Sequence, residues 1–176
     1  MRRLLFDLNV ILDVLLDRPP HAAAAAAVWA AAERKEVDGL IPAHGFTTIF
    51  YIAARQRDAA YARRVVGDLL TVFRVAPVDD AVIGRAPTLA WRDFEDAVCA
   101  AAADAAGCNA IVTRDPRGFA DYRWRSWSPR RWWCGSGSRR DDGGGARRDE
   151  GVAGLDKLAP RPGQSDLDGA APWIRW

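Results

Sequence analysis

The stretch that most constrains the fold is residues 4–12, Leu-Leu-Phe-Asp-Leu-Asn-Val-Ile-Leu. An apolar run of strand length passes a carboxylate and an amide straight into a second apolar run. A strand without polar alternation belongs in a parallel sheet covered by helices on both faces. Open sheets of that kind place their ligand sites at the carboxyl ends of the strands, where Asp7 and Asn9 fall. Either residue could instead cap the following helix. Whether matching carboxylates recur downstream separates the two readings.

They recur twice. Residues 93–96 read Asp-Phe-Glu-Asp at the head of an alanine-rich helix over 97–106, and residues 109–115 read Asn-Ala-Ile-Val-Thr-Arg-Asp, a short β-branched strand ending in an acid. Two strand ends and one helix start bring Asp7, Asp96 and Asp115 together, with Asp93 on a neighbouring face of the same helical turn. Carboxylates that close repel one another unless neutralised. Hard divalent cations neutralise them through oxygen ligands, Mg²⁺ taking one or two carboxylates and keeping several waters. Each acid also has a structural role open to it. Asp93 can serve as N-cap with Asp96 completing something like a capping box, and Asp115 before Pro116 is ordinary turn chemistry.

This ordered set resembles the PIN domain family over about residues 3–121. Residues 5–13 resemble its opening motif, usually Asp-Thr-Asn-Val, with Leu8 in place of Thr. Residues 93–97 resemble its central acidic helix start, and residues 111–116, followed by Gly118 and Phe119, its last acidic strand end. The resemblance implies a three-layer α/β fold, with a central parallel sheet of four to five strands flanked by helices. It implies a metal-dependent ribonuclease using Mg²⁺ or Mn²⁺, with RNA as substrate. In many small bacterial members that enzyme is the toxin of a toxin–antitoxin pair, so an antitoxin that plugs the site and a homodimer are implied as well. Carried over by position, Asp7, Asp96 and Asp115 are the catalytic metal ligands, and Asn9, Asp93 and Thr113 are supporting polar groups.

One departure matters. The family's second acid, usually Glu, opens the helix after the second strand. Alignment on Ile49-Phe50-Tyr51-Ile52 places Thr48 there. A neutral hydroxyl is a weaker ligand than a carboxylate, so weaker metal binding follows, as does reliance on Asp93 or Glu95 as a substitute. Two alternatives therefore stand beside the nuclease. One is a PIN-like module that no longer cleaves but binds RNA or an antitoxin. The other is a haloacid-dehalogenase-type phosphatase, since Asp7-Leu8-Asn9 approaches an Asp-x-Asp nucleophile motif. The latter wants a second Asp at position 9 and a lysine near the phosphate. The chain's two lysines, Lys35 and Lys157, lie in an early helix and in an atypical tail.

Composition bounds the rest. The three cysteines, Cys99, Cys108 and Cys134, lack zinc-type spacing and form an odd set, so neither a disulfide framework nor a structural zinc is implied. Asp7, Asn9 and Asp13 interrupt the first apolar run too early for a signal peptide. No stretch reaches the roughly 18 apolar residues of a membrane span, and a cytoplasmic location is expected. Residues 1–121 carry 14 Arg plus Lys against 16 Asp plus Glu, a net −2. Attraction of nucleic acid must then come from local arginines such as Arg55, Arg57, Arg63, Arg64, Arg114 and Arg117, although the Arg55–Arg64 group also fits a solvated helix face. His21 and His44 stand alone and read as loop or cap residues.

Coarse periodicity predicts helices over 10–16, 21–36, 47–55, 58–70, a short one ending before Pro87, and the acidic helix; strands fall at 37–42 and 72–77. The Asp58–Leu70 helix should turn Val65, Val66, Leu69 and Leu70 inward. Strands alternating with helices require parallel pairing with right-handed crossovers. From Tyr122 the character changes: six of the eight tryptophans lie beyond it, among arginine, glycine and serine. Residues 122–176 thus read as an atypical, disordered tail on a 1–121 domain. Written in GC-rich codons and read one base out of phase, residues 122–133 become Pro-Val-Ala-Val-Val-Val-Ala-Glu-Glu-Val-Val. That is a strand and an acidic helix start, which a PIN-like fold needs at this point. A frameshift near residue 122 is the hypothesis this raises, and resequencing the locus tests it.

Overall fold

The protein is described from a computed structural model, which covers residues 1–115, 118, 119 and 125–127. The first apolar run forms β1 (Arg2–Phe6) and leads through Asp7 into α1 (Leu8–Leu15). Helix α2 (Ala22–Glu33), β2 (Val37–Pro42), α3 (Ala43–Gln56), α4 (Ala59–Val72) and β3 (Arg74–Ala76) follow. A short α5 (Asp80–Arg85), one 3-10 turn (Ala86–Leu89), α6 (Phe94–Ala105), β4 (Ala110–Val112) and β5 (Arg125–Trp127) complete the described chain.

The five strands lie in the order β3-β2-β1-β4-β5, and every pairing is parallel. Leu4 sits between Gly39 of β2 and Ala110 of β4, so β1 is central. The chain winds outward from β1 through β2 to β3, then returns to place β4 on the other flank of β1. The crevice between the ends of β1 and β4 is therefore the topological switch point, where such sheets bind ligands.

Strand alternation splits the core into two layers. Leu4, Phe6, Ile41 and Val112 pack under α1 to α4 with Trp29, Ile49, Leu69 and Phe73. Leu5, Leu40 and Ile111 face the other way, against α5, the 3-10 turn and α6. The first layer holds an aromatic knot, with Phe73 edge-on to Phe6 at 4.9 Å and to Trp29 at 5.1 Å between ring centroids. Burying each such ring contributes about 1.5–3 kcal/mol. Gly39 makes the knot possible, since a Cβ there would stand 2.8 Å from the Phe73 ring. The second layer is built from alanine, α6 burying every residue from Ala97 to Ala103.

The three-layer fold and parallel sheet agree with the sequence reading, and three local differences have physical causes. Helix α3 starts at Ala43, a full turn before Thr47, because Pro42 ends β2 in an extended conformation and the helix begins on the next residue. Gly45, a poor helix former, hides that turn from a propensity reading, yet it lets α3 press against Ile41. Val65 and Leu69 are buried as expected, whereas Leu70 is half exposed. The third difference lies in the tail, where the backbone of Arg125–Trp127 pairs in parallel with all of β4. The other tail residues, Cys134 among them, lie outside the described residues.

Candidate functional site

The sequence-predicted acids arrive at one edge of the sheet by three routes. Asp7 follows β1, Thr113 to Asp115 follow β4, and Asp93 to Asp96 open α6. Asp7 occupies the N-cap position of α1. Its carboxylate is 6% exposed and its Oδ2 accepts a 2.8 Å hydrogen bond from the Thr113 hydroxyl. The main-chain and side-chain N–H groups of Asn9 also favour its charged form, yet burial outweighs them and pushes the Asp7 carboxyl above the usual carboxylate range. Thr113 is itself fully buried, and its oxygen accepts from the Asp115 main-chain N–H at 3.0 Å. One hydroxyl thus ties the two strand ends together.

A second tie lies behind the first. Arg114 donates to Oδ1 of the buried Asp13 at 3.0 Å and to Oδ1 of Asn9 at 3.4 Å. Asp13, 1% exposed and one turn beyond Asn9 on α1, anchors the guanidinium. The sequence showed Asp13 only as a break in an apolar run, and no local pattern pairs it with a residue 101 positions away.

The α6 side differs. Asp93 is the N-cap of α6, its Oδ1 accepting from the main-chain N–H groups of Glu95 at 2.8 Å and Asp96 at 3.3 Å. The capping role open to Asp93 in the sequence is the one it occupies. The Asp96 carboxyl is pushed up to about 7, first by burial and then by Asp7, Asp93, Asp115 and Glu95. The chain returns closely over it: a Cβ on Gly118 would stand 2.7 Å from Asp96 Oδ2, so a larger residue there would have to displace the Asp96 carboxylate.

His44 was read as a loop or cap residue; the early start of α3 puts it on the helix instead, in contact with α6. Its Nε2 lies 3.7 Å from Glu95 Oε1 and 3.9 Å from Cys99 Sγ, and its Nδ1 is buried without a hydrogen-bond partner among the described residues. Cys99 and Cys108 are buried free thiols, as expected of small core residues. Burial, then the surrounding acids, holds the Cys99 thiol well above its ordinary pKa.

Among the described residues no three His, Cys, Asp or Glu side chains are gathered at metal-ligand spacing. The donor set nevertheless fits a hard divalent ion. It is all carboxylate oxygen, and burial together with four neighbouring acids penalises the charge of Asp96, a penalty that a bound cation removes.

The family model described as PIN domain matches residues 3–117. The chain belongs to the PIN domain family. Comparison of the sequence with curated proteins finds no significant match. The fold is shared with several solved structures. DNA-bound VapBC from Salmonella typhimurium superposes with a TM-score of 0.56 at 16% identity, covering 73% of this chain and 99% of that one. FitAcB from Neisseria gonorrhoeae gives 0.54 at 22% identity, covering 72% and 97%. VapC20 of Mycobacterium tuberculosis, a sarcin-ricin loop cleaving toxin, gives 0.54 at 17% identity, covering 68% and 95%. This PIN domain has no helix, among its described residues, long and apolar enough to cross a membrane.

Proposed function

We propose that this PIN domain is a metal-dependent endoribonuclease and the toxin half of a toxin–antitoxin pair. The observation that carries the reading is the crowding of Asp7, Asp96, Asp115 and Glu95 at the switch point, with Asp96 held near neutrality by burial and by the other acids. Membership in the PIN domain family and the likeness to VapBC and FitAcB support it.

Asp7, Asp96 and Asp115 would hold one or two Mg²⁺ or Mn²⁺ ions. Bound there, the cation would lower the pKa of a water and offset charge on the leaving oxygen. Thr113 and Asn9 aim the Asp7 carboxylate, sparing the reorganisation that an unanchored side chain would undergo. Burial and the neighbouring acids raise the Asp96 carboxyl to about 7, and a bound cation would favour its charged form. Arg55, Arg57, Arg63 and Arg64 are exposed along the end of α3, the turn and α4, where they can attract RNA to an otherwise acidic domain. An antitoxin that covers the acidic edge and a homodimer complete the proposal.

Incubation of the purified chain with single-stranded RNA and Mn²⁺ tests it. Cleavage that needs the metal and vanishes in Asp7→Asn is the expected result. The neutral Thr48 favours a second reading, a module that binds RNA or an antitoxin without cutting. Mn²⁺-independent RNA binding with no cleavage would establish that one.

A further inference from the structure

We propose that Glu95, steered by His44, supplies the carboxylate that the family pattern places at Thr48; this rests on the metal-site reading above. Two observations lead there. Helix α3 begins at Ala43, so His44 and Thr48 lie one turn apart on one helix face. Glu95 and Cys99 are likewise four apart on α6, and both lie within 4 Å of His44 Nε2. The α3 face on which the missing acid would stand thus meets α6 at Glu95.

The structure also discriminates between the two substitutes. Asp93 spends Oδ1 on two main-chain N–H groups, and turning it toward an ion would uncap α6. Glu95 has no capping duty. Its ion-pair partner among the described residues is His44, and its charge reaches both Asp7 and Asp96.

His44 itself is otherwise unexplained. Its buried Nδ1 has no hydrogen-bond partner among the described residues, and an unsatisfied buried group of this kind calls for an explanation. At 3.7 Å the His44–Glu95 contact is too long for a direct hydrogen bond but short enough to bias the glutamate's rotamer. His44 is therefore a positioning residue that acts through Glu95. One substitution per helix, hydroxyl for acid on α3 and a histidine-guided acid on α6, keeps the carboxylate count of the site unchanged.

The test is direct titration of the full chain with Mn²⁺ at fixed pH, free Mn²⁺ being read by electron paramagnetic resonance, with thermal unfolding to verify that each variant folds. Glu95→Gln is expected to weaken Mn²⁺ binding about tenfold or more, and His44→Ala by up to about tenfold, as partners that orient a ligand do. His44→Ala added to Glu95→Gln should bring no further loss, because a residue acting through another is silent once that other is gone. Thr48→Glu in the Glu95→Gln background should restore affinity. Wild-type affinity in a folded Glu95→Gln overturns the inference while leaving the metal site standing, and fully additive losses overturn the role of His44. A wild-type chain that binds no Mn²⁺ overturns the metal-site reading and this inference with it.

Discussion

The two sides of the candidate site are built on opposite principles. On the β1/β4 side every polar group is held: Asp7 by Thr113, Thr113 by the Asp115 main chain, Asn9 by Arg114, and Arg114 by Asp13. On the α6 side Asp96 and Glu95 face their like-charged neighbours, with the His44 ring 3.7 Å from Glu95. One half is fixed in advance and the other stores electrostatic repulsion. A site of this kind trades stability without its ion for affinity with it, the exchange common at functional positions.

That contrast can be broken from either side. The largest effect is expected from Asp7→Asn, which removes the most buried of the three candidate metal ligands. Mn²⁺-dependent RNA cleavage should fall by more than about 100-fold, beyond what loss of an orienting partner costs, and a rate assay at saturating Mn²⁺ checks it. Next comes Asp13→Ala. Removing one partner of a buried ion pair leaves the other uncompensated, at about 3 kcal/mol here since Arg114 is a third exposed. Urea unfolding should show that loss, and unchanged stability would mean the pair is idle.

Asp96 gives the sharpest test of the α6 side. Its carboxyl is about 7 when folded against 3.8 ordinarily. The folded state therefore holds more protons than the unfolded state between those values, and stability without metal must decline as pH rises from about 4 to about 7. Melting curves across that range should show the decline in the metal-free protein, a flatter profile in Asp96→Asn, and partial recovery of the wild type with Mn²⁺. The smallest effect belongs to Asp93→Ala. Loss of the α6 cap should cost about 1 kcal/mol by chemical denaturation, with Mn²⁺ affinity little changed.

The sequence disclosed the β1/β4 side better than the α6 side, for a physical reason. Asp7 and Asp115 end apolar runs, and a strand carries its side chains to a predictable edge. The sheet order then follows from alternation of strands and helices. Asp93 could be read as cap or ligand with equal ease, because helix starts favour Asp for either purpose. His44 was obscured by Gly45 and by a helix start placed one turn late. The Asp13–Arg114 pair joins residues 101 positions apart, and a single chain holds no local trace of it. Leu70 shows the limit of periodicity: four apolar residues in six exceed the one face α4 can bury. In the tail, tryptophan-rich composition pointed away from regular structure, yet main-chain hydrogen bonding recruits residues 125–127 to a free strand edge whatever their side chains.

Helix α6 has a consequence of another kind. It is enclosed over seven consecutive residues, five of them alanine, so small side chains make up most of its contact with the sheet. Its width is the tolerance within which Glu95 and Asp96 are aligned. Alanine can be shortened only to glycine, which weakens the helix by about 1 kcal/mol, and any enlargement must lever the acidic end away from Asp7. A saturation scan of this helix should lack the usual rhythm of tolerant and intolerant positions every third or fourth residue. It should show an unbroken block of intolerance from Ala97 to Ala103, a segment with almost no neutral routes through sequence space.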